Sequence, residues 1–381
     1  MTVETDKELD EMVWPESAGS DSAPRRRVRK SRLGIVIPVA VGVVALAVGG
    51  FFGLRLIDDS RIIATTNPIP QPTRGPVTQV TGSIAAGSYP QGVAVDETAG
   101  LIYVTRLADP AEVDPEDDET RRGVLSVFDA TTLEPVGTTT VGIDPVGLAV
   151  DSQARLVWVA NSGDRSVSAI SADSRDVVAT VTVGEGPRNL AVDTATGLVY
   201  VANTGEDSMT VIDGRSRFVV DWMGLNPRPL GVAFEKTGGR VFVTNSEAGT
   251  VEVIDPKSPQ STFTVGERPF AVAVDEALGA VYVTNWGADT VTVVEAATRR
   301  WWDTIKVGVR PFGVAVDSEA RTVYVANWTS NTVSVIDANT RKLVNTIAVG
   351  ERPTGVAVDP RNGTVFVVNS GDGTVSVLTA G

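Results

Sequence analysis

"PFGVAVDSEARTVYVANWTSNTVSVIDANTRKLVNTIAVG", residues 311 to 350, decides the fold. Apolar residues alternate there with small or polar ones in four short stretches, and turn-forming residues separate the stretches. Alternation of period two over runs this short is the signature of half-buried strands, so the segment reads as four strands joined by tight turns. A sheet of four strands in about 40 residues cannot cover its own faces, and needs neighbours of the same kind. The chain supplies them. Pro90, Pro145, Pro187, Pro229, Pro269, Pro311 and Pro353 each open a copy of the unit, at spacings of 55, 42, 42, 40, 42 and 42 residues. Six positions after each proline stands an acid: Asp96, Asp151, Asp193, Glu235, Asp275, Asp317 or Asp359. Ten residues later comes Asn161, Asn203, Asn245, Asn285, Asn327 or Asn369, with Arg106 in the first copy as the exception.

Seven copies stacked radially predict an all-β, seven-bladed β-propeller of four-stranded antiparallel blades over residues 76–381. The ends of the repeat predict how it closes. The seventh copy stops at "TVSVLTAG", one strand short, and "GPVTQVTGSIAAG" ahead of the first copy matches the missing strand. The N-terminal strand is therefore expected to complete the last blade, which also hides the edges of an open ring. The second strand of each unit reads "YVTN" at 282–285, "YVAN" at 200–203 and 324–327, "WVAN" at 158–161, "FVTN" at 242–245 and "FVVN" at 366–369. In these strands the chain resembles the YVTN family of β-propeller repeats, a resemblance that implies a surface or periplasmic propeller and no single activity.

Ahead of the repeats, Leu33 to Leu54 are uncharged and almost wholly apolar, about 33 Å of helix and enough to cross a bilayer. "RRRVRKSR" at 25–32 places six basic residues just before it, so the positive-inside rule expects residues 1–32 in the cytoplasm and the repeats outside. The acidic start of that tail has a disordered composition. A cleaved signal peptide, with "ALA" at 45–47 as its cleavage site, is the competing reading; the apolar run continues past it through Phe51 and Phe52, which favours a retained anchor. Residues 55–75, with "TTNPIPQPTRGP" at their end, read as a proline-spaced extracytoplasmic linker.

Composition narrows the chemistry. The 381 residues contain neither cysteine nor histidine, which removes thiolate nucleophiles and metal sites, the commonest metal-binding imidazole and the usual proton shuttle near neutral pH. No cofactor or metal site is expected. Net charge is −14, and residues 76–381 carry 23 basic against 38 acidic side chains, so nucleic acid is not an expected partner.

A residue repeated in every blade is architecture. The asparagines are expected to bond nearby backbone and accept left-handed geometry, and the acids to cap the turn after strand one. Departures from the repeat carry the functional information. Trp286 and Trp328 follow the asparagine in blades five and six only. Arg228, Arg268, Arg310 and Arg352 precede the proline in blades four to seven, Arg188 follows it in blade three, and Phe270 and Phe312 take the innermost positions of blades five and six. Guanidinium groups and aromatic faces on one loop face suit a small anion, a polysaccharide or a protein partner; the plainer alternative pairs the arginines with Glu267, Glu351 or loop carbonyls. Propeller lactonases and streptogramin-lyase-like propellers need axial metal ligands or histidine. The axial positions Gln91, Val146, Arg188, Leu230, Phe270, Phe312 and Thr354 supply neither. The expectation is a membrane-tethered binding or scaffold module, with a carboxylate-dependent hydrolase of extracellular or wall carbohydrate as the alternative. The first copy also carries an insertion, "LADPAEVDPEDDETRRG" at 107–123, with seven acids between Asp109 and Glu119. It reads as a solvated acidic lobe, with calcium as the competing role.

Overall fold

The computed structural model describes residues 72–114 and 116–380. The chain divides into two units, Met1–Gln71 and Pro72–Gly381, and all of the description below belongs to the second. The expected cytoplasmic tail, the membrane helix at 33–54 and the linker up to Gln71 lie outside the described residues. Among the described residues no helix is long and apolar enough to cross a membrane.

Twenty-eight strands, from β1 (Gln79–Ala85) to β28 (Thr374–Thr379), form seven four-stranded antiparallel sheets. Each blade runs from its proline outward, as in blade six: Pro311–Asp317, Thr322–Asn327, Thr332–Asp337 and Lys342–Ala348. The innermost strands pack against one another around the ring, and the circuit includes Pro353–Val358 of blade seven against Pro90–Asp96 of blade one. In blade seven the fourth place belongs to β1, which pairs with β28 from Gln79 opposite Thr379 to Ala85 opposite Thr374. The last blade thus takes its outer strand from the start of the unit. Side chains on both sides of the junction share one core: Ile84, Phe366, Val375 and Val377 of blade seven pack with Ile102, Val104 and Phe128 of blade one.

Two features hold the axis narrow. The second position after each proline is glycine in five blades because a side chain there would meet the next blade: a Cβ on Gly92 would lie 2.5 Å from Val146 O, and one on Gly147 2.6 Å from Arg188 O. Threonine hydroxyls then tie neighbouring blades together, Thr105 Oγ1 donating to Val146 O at 2.6 Å and Thr284 Oγ1 to Phe312 O at 2.8 Å. Across the closing junction the equivalent acceptor, Gln91 O, is bonded at 2.8 Å by Thr354 Oγ1, which comes from the innermost strand rather than from strand two.

The repeated acids cap turns as expected. Asp96 Oδ1 accepts the backbone N–H groups of Thr98 and Ala99, and Asp317 Oδ1 those of Glu319 and Ala320. The asparagines work differently from the expectation. None has a positive φ, and their amides reach side chains in strand three: Asn285 Nδ2 donates to Thr290 Oγ1 at 3.0 Å and Thr292 Oγ1 at 2.9 Å, while its Oδ1 accepts Gly266 N–H at 3.0 Å. Asn161, Asn203, Asn327 and Asn369 likewise donate to hydroxyls five and seven residues on. Each asparagine pins strand two to strand three at the loop end. Asn285→Ala strands two hydroxyls and a backbone N–H in the interior and is expected to cost about 2 kcal/mol, read as a lower denaturant midpoint at unchanged slope.

The chain enters the propeller on the opposite face. Arg74 grips Asp317 with Nε at 2.9 Å and Nη2 at 2.8 Å, and its Nη1 donates to Pro360 O at 3.0 Å. Thr73 N–H bonds Glu319 O, and Val77 N–H bonds the Tyr324 hydroxyl. Residues 73–77 therefore lie against the turns that follow the innermost strands, whereas the tryptophans and entry-loop arginines stand at the other ends of those strands.

Candidate functional site

The residue before each blade's proline is left-handed in all seven blades: Tyr89, Asp144, Gly186, Arg228, Arg268, Arg310 and Arg352 have φ between 45° and 61°. Left-handed geometry, expected at the asparagines, is found here and again four residues after each asparagine, at Arg165, Asp207, Gly249, Asp289, Asn331 and Gly373. Its use before the proline is a backbone clasp: the carbonyl of the left-handed residue accepts the N–H of the residue after the asparagine, as in Trp286 to Arg268 O and Trp328 to Arg310 O, both 3.0 Å. The loop of the preceding blade fixes the other side, with Arg310 N–H donating to Asp289 Oδ1 at 2.8 Å and Arg352 N–H to Asn331 Oδ1 at 2.9 Å. Left-handed backbone costs a non-glycine residue roughly 1–2 kcal/mol, and this double clasp compensates for it while setting where each arginine side chain starts.

From those starts two of the arginines reach back over the preceding blade. Arg310 of blade six lies over the Trp286 ring of blade five, 5.2 Å from its centre, and Arg352 of blade seven lies over Trp328 of blade six at 5.4 Å. The positions taken by the tryptophans in blades five and six are Thr204 and Ser246 in blades three and four, which carry no ring; Arg268 is exposed. The four aromatic candidates converge. Trp286 and Trp328 ring centres are 5.6 Å apart, Phe270 and Phe312 only 3.8 Å, and Trp286 meets Phe270 at 6.1 Å and the edge of Phe312 at 5.8 Å. Trp328 is buried, 7% exposed, so it serves as the floor beneath Arg352. Trp286, Phe270 and Phe312 are half-buried.

Phe270 and Phe312 also line a cavity of about 150 Å³ at the mouth of the central channel, together with Arg188, Asn189, Gln91 and Thr354. Burial pushes the Arg188 guanidinium down to about 9, the like charge of Arg228 adds to this, and Asp144 opposes it. It remains cationic at neutral pH. Asp144 is raised above the usual carboxylate range by burial and by Asp164, against the pull of Arg121 and Arg188. The position before the proline was readable as arginine in four blades; that its acidic counterpart in blade two would stand beside Arg188 was not, because the two meet only around the ring. The nine candidates thus form one group of six, Phe270, Phe312, Trp286, Trp328, Arg310 and Arg352, with Arg188 and Arg228 further along the arc and Arg268 outside the stacking.

The acidic insertion is built from small turns. Asp109, Asp114 and Asp117 each cap the backbone two residues on. Among the described residues no three acidic side chains are placed to hold a metal ion.

No protein-family model matches the chain, and no curated protein matches it. Solved structures do: 1585 chains match, and one, from Kuenenia stuttgartiensis hydrazine synthase, superposes with a TM-score of 0.67 at 16% identity over 80% of this chain and 98% of that one. A likeness at that identity establishes the propeller fold, and a fold shared so widely selects no activity.

Proposed function

We propose that the protein is a membrane-tethered, extracytoplasmic YVTN-type propeller that binds an acidic polymer, foremost a uronate-rich polysaccharide, on the loop face of blades three to seven. The propeller fold is shown; the binding role, the setting and the ligand are the proposal. The basic segment 25–32 and the apolar run 33–54 support the setting. One observation carries the ligand: two guanidinium groups stacked on tryptophans beside a channel mouth that contains a third, in a chain of net charge −14. Stacking orders the planar fork that suits carboxylates, and half-buried aromatic faces accept the apolar side of a sugar ring. Size discriminates further. A cavity of about 150 Å³ falls below the range of roughly 300–1,000 Å³ that encloses a small-molecule ligand, so it takes one anionic group while the remainder lies along the surface.

The alternative, a carboxylate-dependent hydrolase, has Asp144 in its favour, a carboxylate kept easier to protonate by burial near Asp164. Both readings meet one experiment on the full chain with galacturonate oligomers, neutral oligosaccharides and inorganic phosphate. Binding of the galacturonate oligomer, lost in the combined Arg268→Ala, Arg310→Ala and Trp286→Ala variant at an unchanged melting temperature, supports the binding reading; unchanged affinity in that variant overturns it. Release of new reducing ends, abolished by Asp144→Asn, would move the assignment to the hydrolase.

A further inference from the structure

Blade one departs from the repeat inside its wall as well as in its loop. In the six other blades an asparagine ends strand two and donates into strand three; in blade one that residue is Arg106. The receiving positions change with it. By register Val124 stands where blade two has Ser166, and Ser126 where it has Ser168. Ser168 takes the Asn161 amide at 2.9 Å. Ser126 is as deeply placed, 4% exposed, yet among the described residues its hydroxyl makes no hydrogen bond, and it faces a cavity of about 510 Å³.

That cavity lies between the outer strand of blade seven and strands three and four of blade one, under the acidic insertion. Arg106 lines it, making no side-chain hydrogen bond or ion pair among the described residues. Glycine leaves room for that side chain: a Cβ on Gly87 would lie 3.1 Å from Arg106 Cδ and 3.5 Å from Cζ. Two carboxylates share the lining, Asp109 and the exposed Glu112. Ala111 N–H and the Ser88 hydroxyl hold Asp109 below the usual carboxylate range, so it stays ionised. Phe128, on the same face of its strand as Ser126, supplies an apolar wall, while Val127 contributes main chain and turns its side chain to the core shared with blade two.

We propose that this cavity binds a small zwitterion of the α-amino-acid or dipeptide class, its carboxylate on Arg106 and its ammonium on Asp109 and Glu112. A simple anion would be repelled by the two carboxylates, and a simple amine by the Arg106 guanidinium, which already lies in the field of Asp109. Ser126 offers the buried hydroxyl to the ligand's polar atoms, and Phe128 with the Ala85 and Ala86 stretch takes an aliphatic side chain. The volume lies within the ordinary range for ligand pockets, roughly 300–1,000 Å³. The site stands at the junction of blades seven and one, shares no lining residue with the group around Trp286, and is independent of the polymer-binding reading.

Calorimetric titration of the full chain with L-leucine and L-leucyl-L-leucine tests it. At least one is expected to bind, and 4-methylpentanoate and isoamylamine, each lacking one charge, to bind weaker by about tenfold or more. Arg106→Asn restores the residue used by six blades and is expected to fold and to abolish binding. Glu112→Lys, a change at an exposed residue, is expected to weaken binding by about tenfold and serves if Arg106→Asn fails to fold. No binding by either zwitterion, equal affinity for a singly charged analogue, or unchanged binding in these variants overturns the proposal.

Discussion

Ile84→Asp is expected to destabilise the propeller by about 4 kcal/mol, with a melting temperature roughly 10 °C lower. Ile84 lies on β1, the strand that comes from the start of the unit to finish blade seven, and is 5% exposed in the core shared by blades seven and one. The substitution removes a buried aliphatic side chain and leaves an unpaired carboxylate at the one junction where the ring is held by non-covalent contacts between its two ends. Val80→Asp, on the same strand but 40% exposed, is expected to change stability by no more than about 0.5 kcal/mol. Thermal unfolding of the two variants checks the contrast; equal effects would mean that β1 adds nothing to closure.

Gly313→Ala is expected to cost about 3 kcal/mol although it adds a single methyl group. A Cβ at Gly313 would sit 2.3 Å from Thr354 O and 3.3 Å from Val356 N, both main-chain atoms of the next blade. No rotamer can relieve that contact. Blade six would have to move outward from blade seven, at the junction that also seats Phe312 beside the channel. Blade five carries Ala271 at the equivalent position, so Ala271→Gly is the control, with an expected cost of about 1 kcal/mol or less. Chemical denaturation of both variants measures the difference.

The fold was legible because propeller blades repeat. The spacing of seven prolines, the period-two runs and the unmatched strand at each end together implied the blade count and the pairing of β1 with β28, and both are present. What the asparagines do was only half legible. Their place at the end of strand two was readable, and hydroxyl residues five and seven positions later were there to be seen, but the bond across to strand three depends on antiparallel register. Left-handed backbone was expected at those asparagines and lies instead four residues past them and before the prolines. Arginine before a proline would not ordinarily suggest it; the clasp that stabilises it there is built from two blades. The stacking of Arg310 and Arg352 on Trp286 and Trp328 was partly foreshadowed by the coincidence of unusual residues in blades five and six. The one-blade offset that decides which arginines find a ring required the ring's geometry. Ser126 gave no signal at all, since a serine in a strand is ordinary until its usual donor has been replaced by Arg106.

The most direct test of the central claim is a hydrogen-exchange footprint of the full chain with and without a saturating galacturonate oligomer. Slower exchange confined to the loop face of blades three to seven, strongest in the loops at 266–270, 285–289, 308–312, 327–331 and 350–354, is the predicted result. Protection on the turn face around 317–321, or none under conditions where the oligomer is bound, would contradict the assignment of the guanidinium and aromatic face as the binding surface.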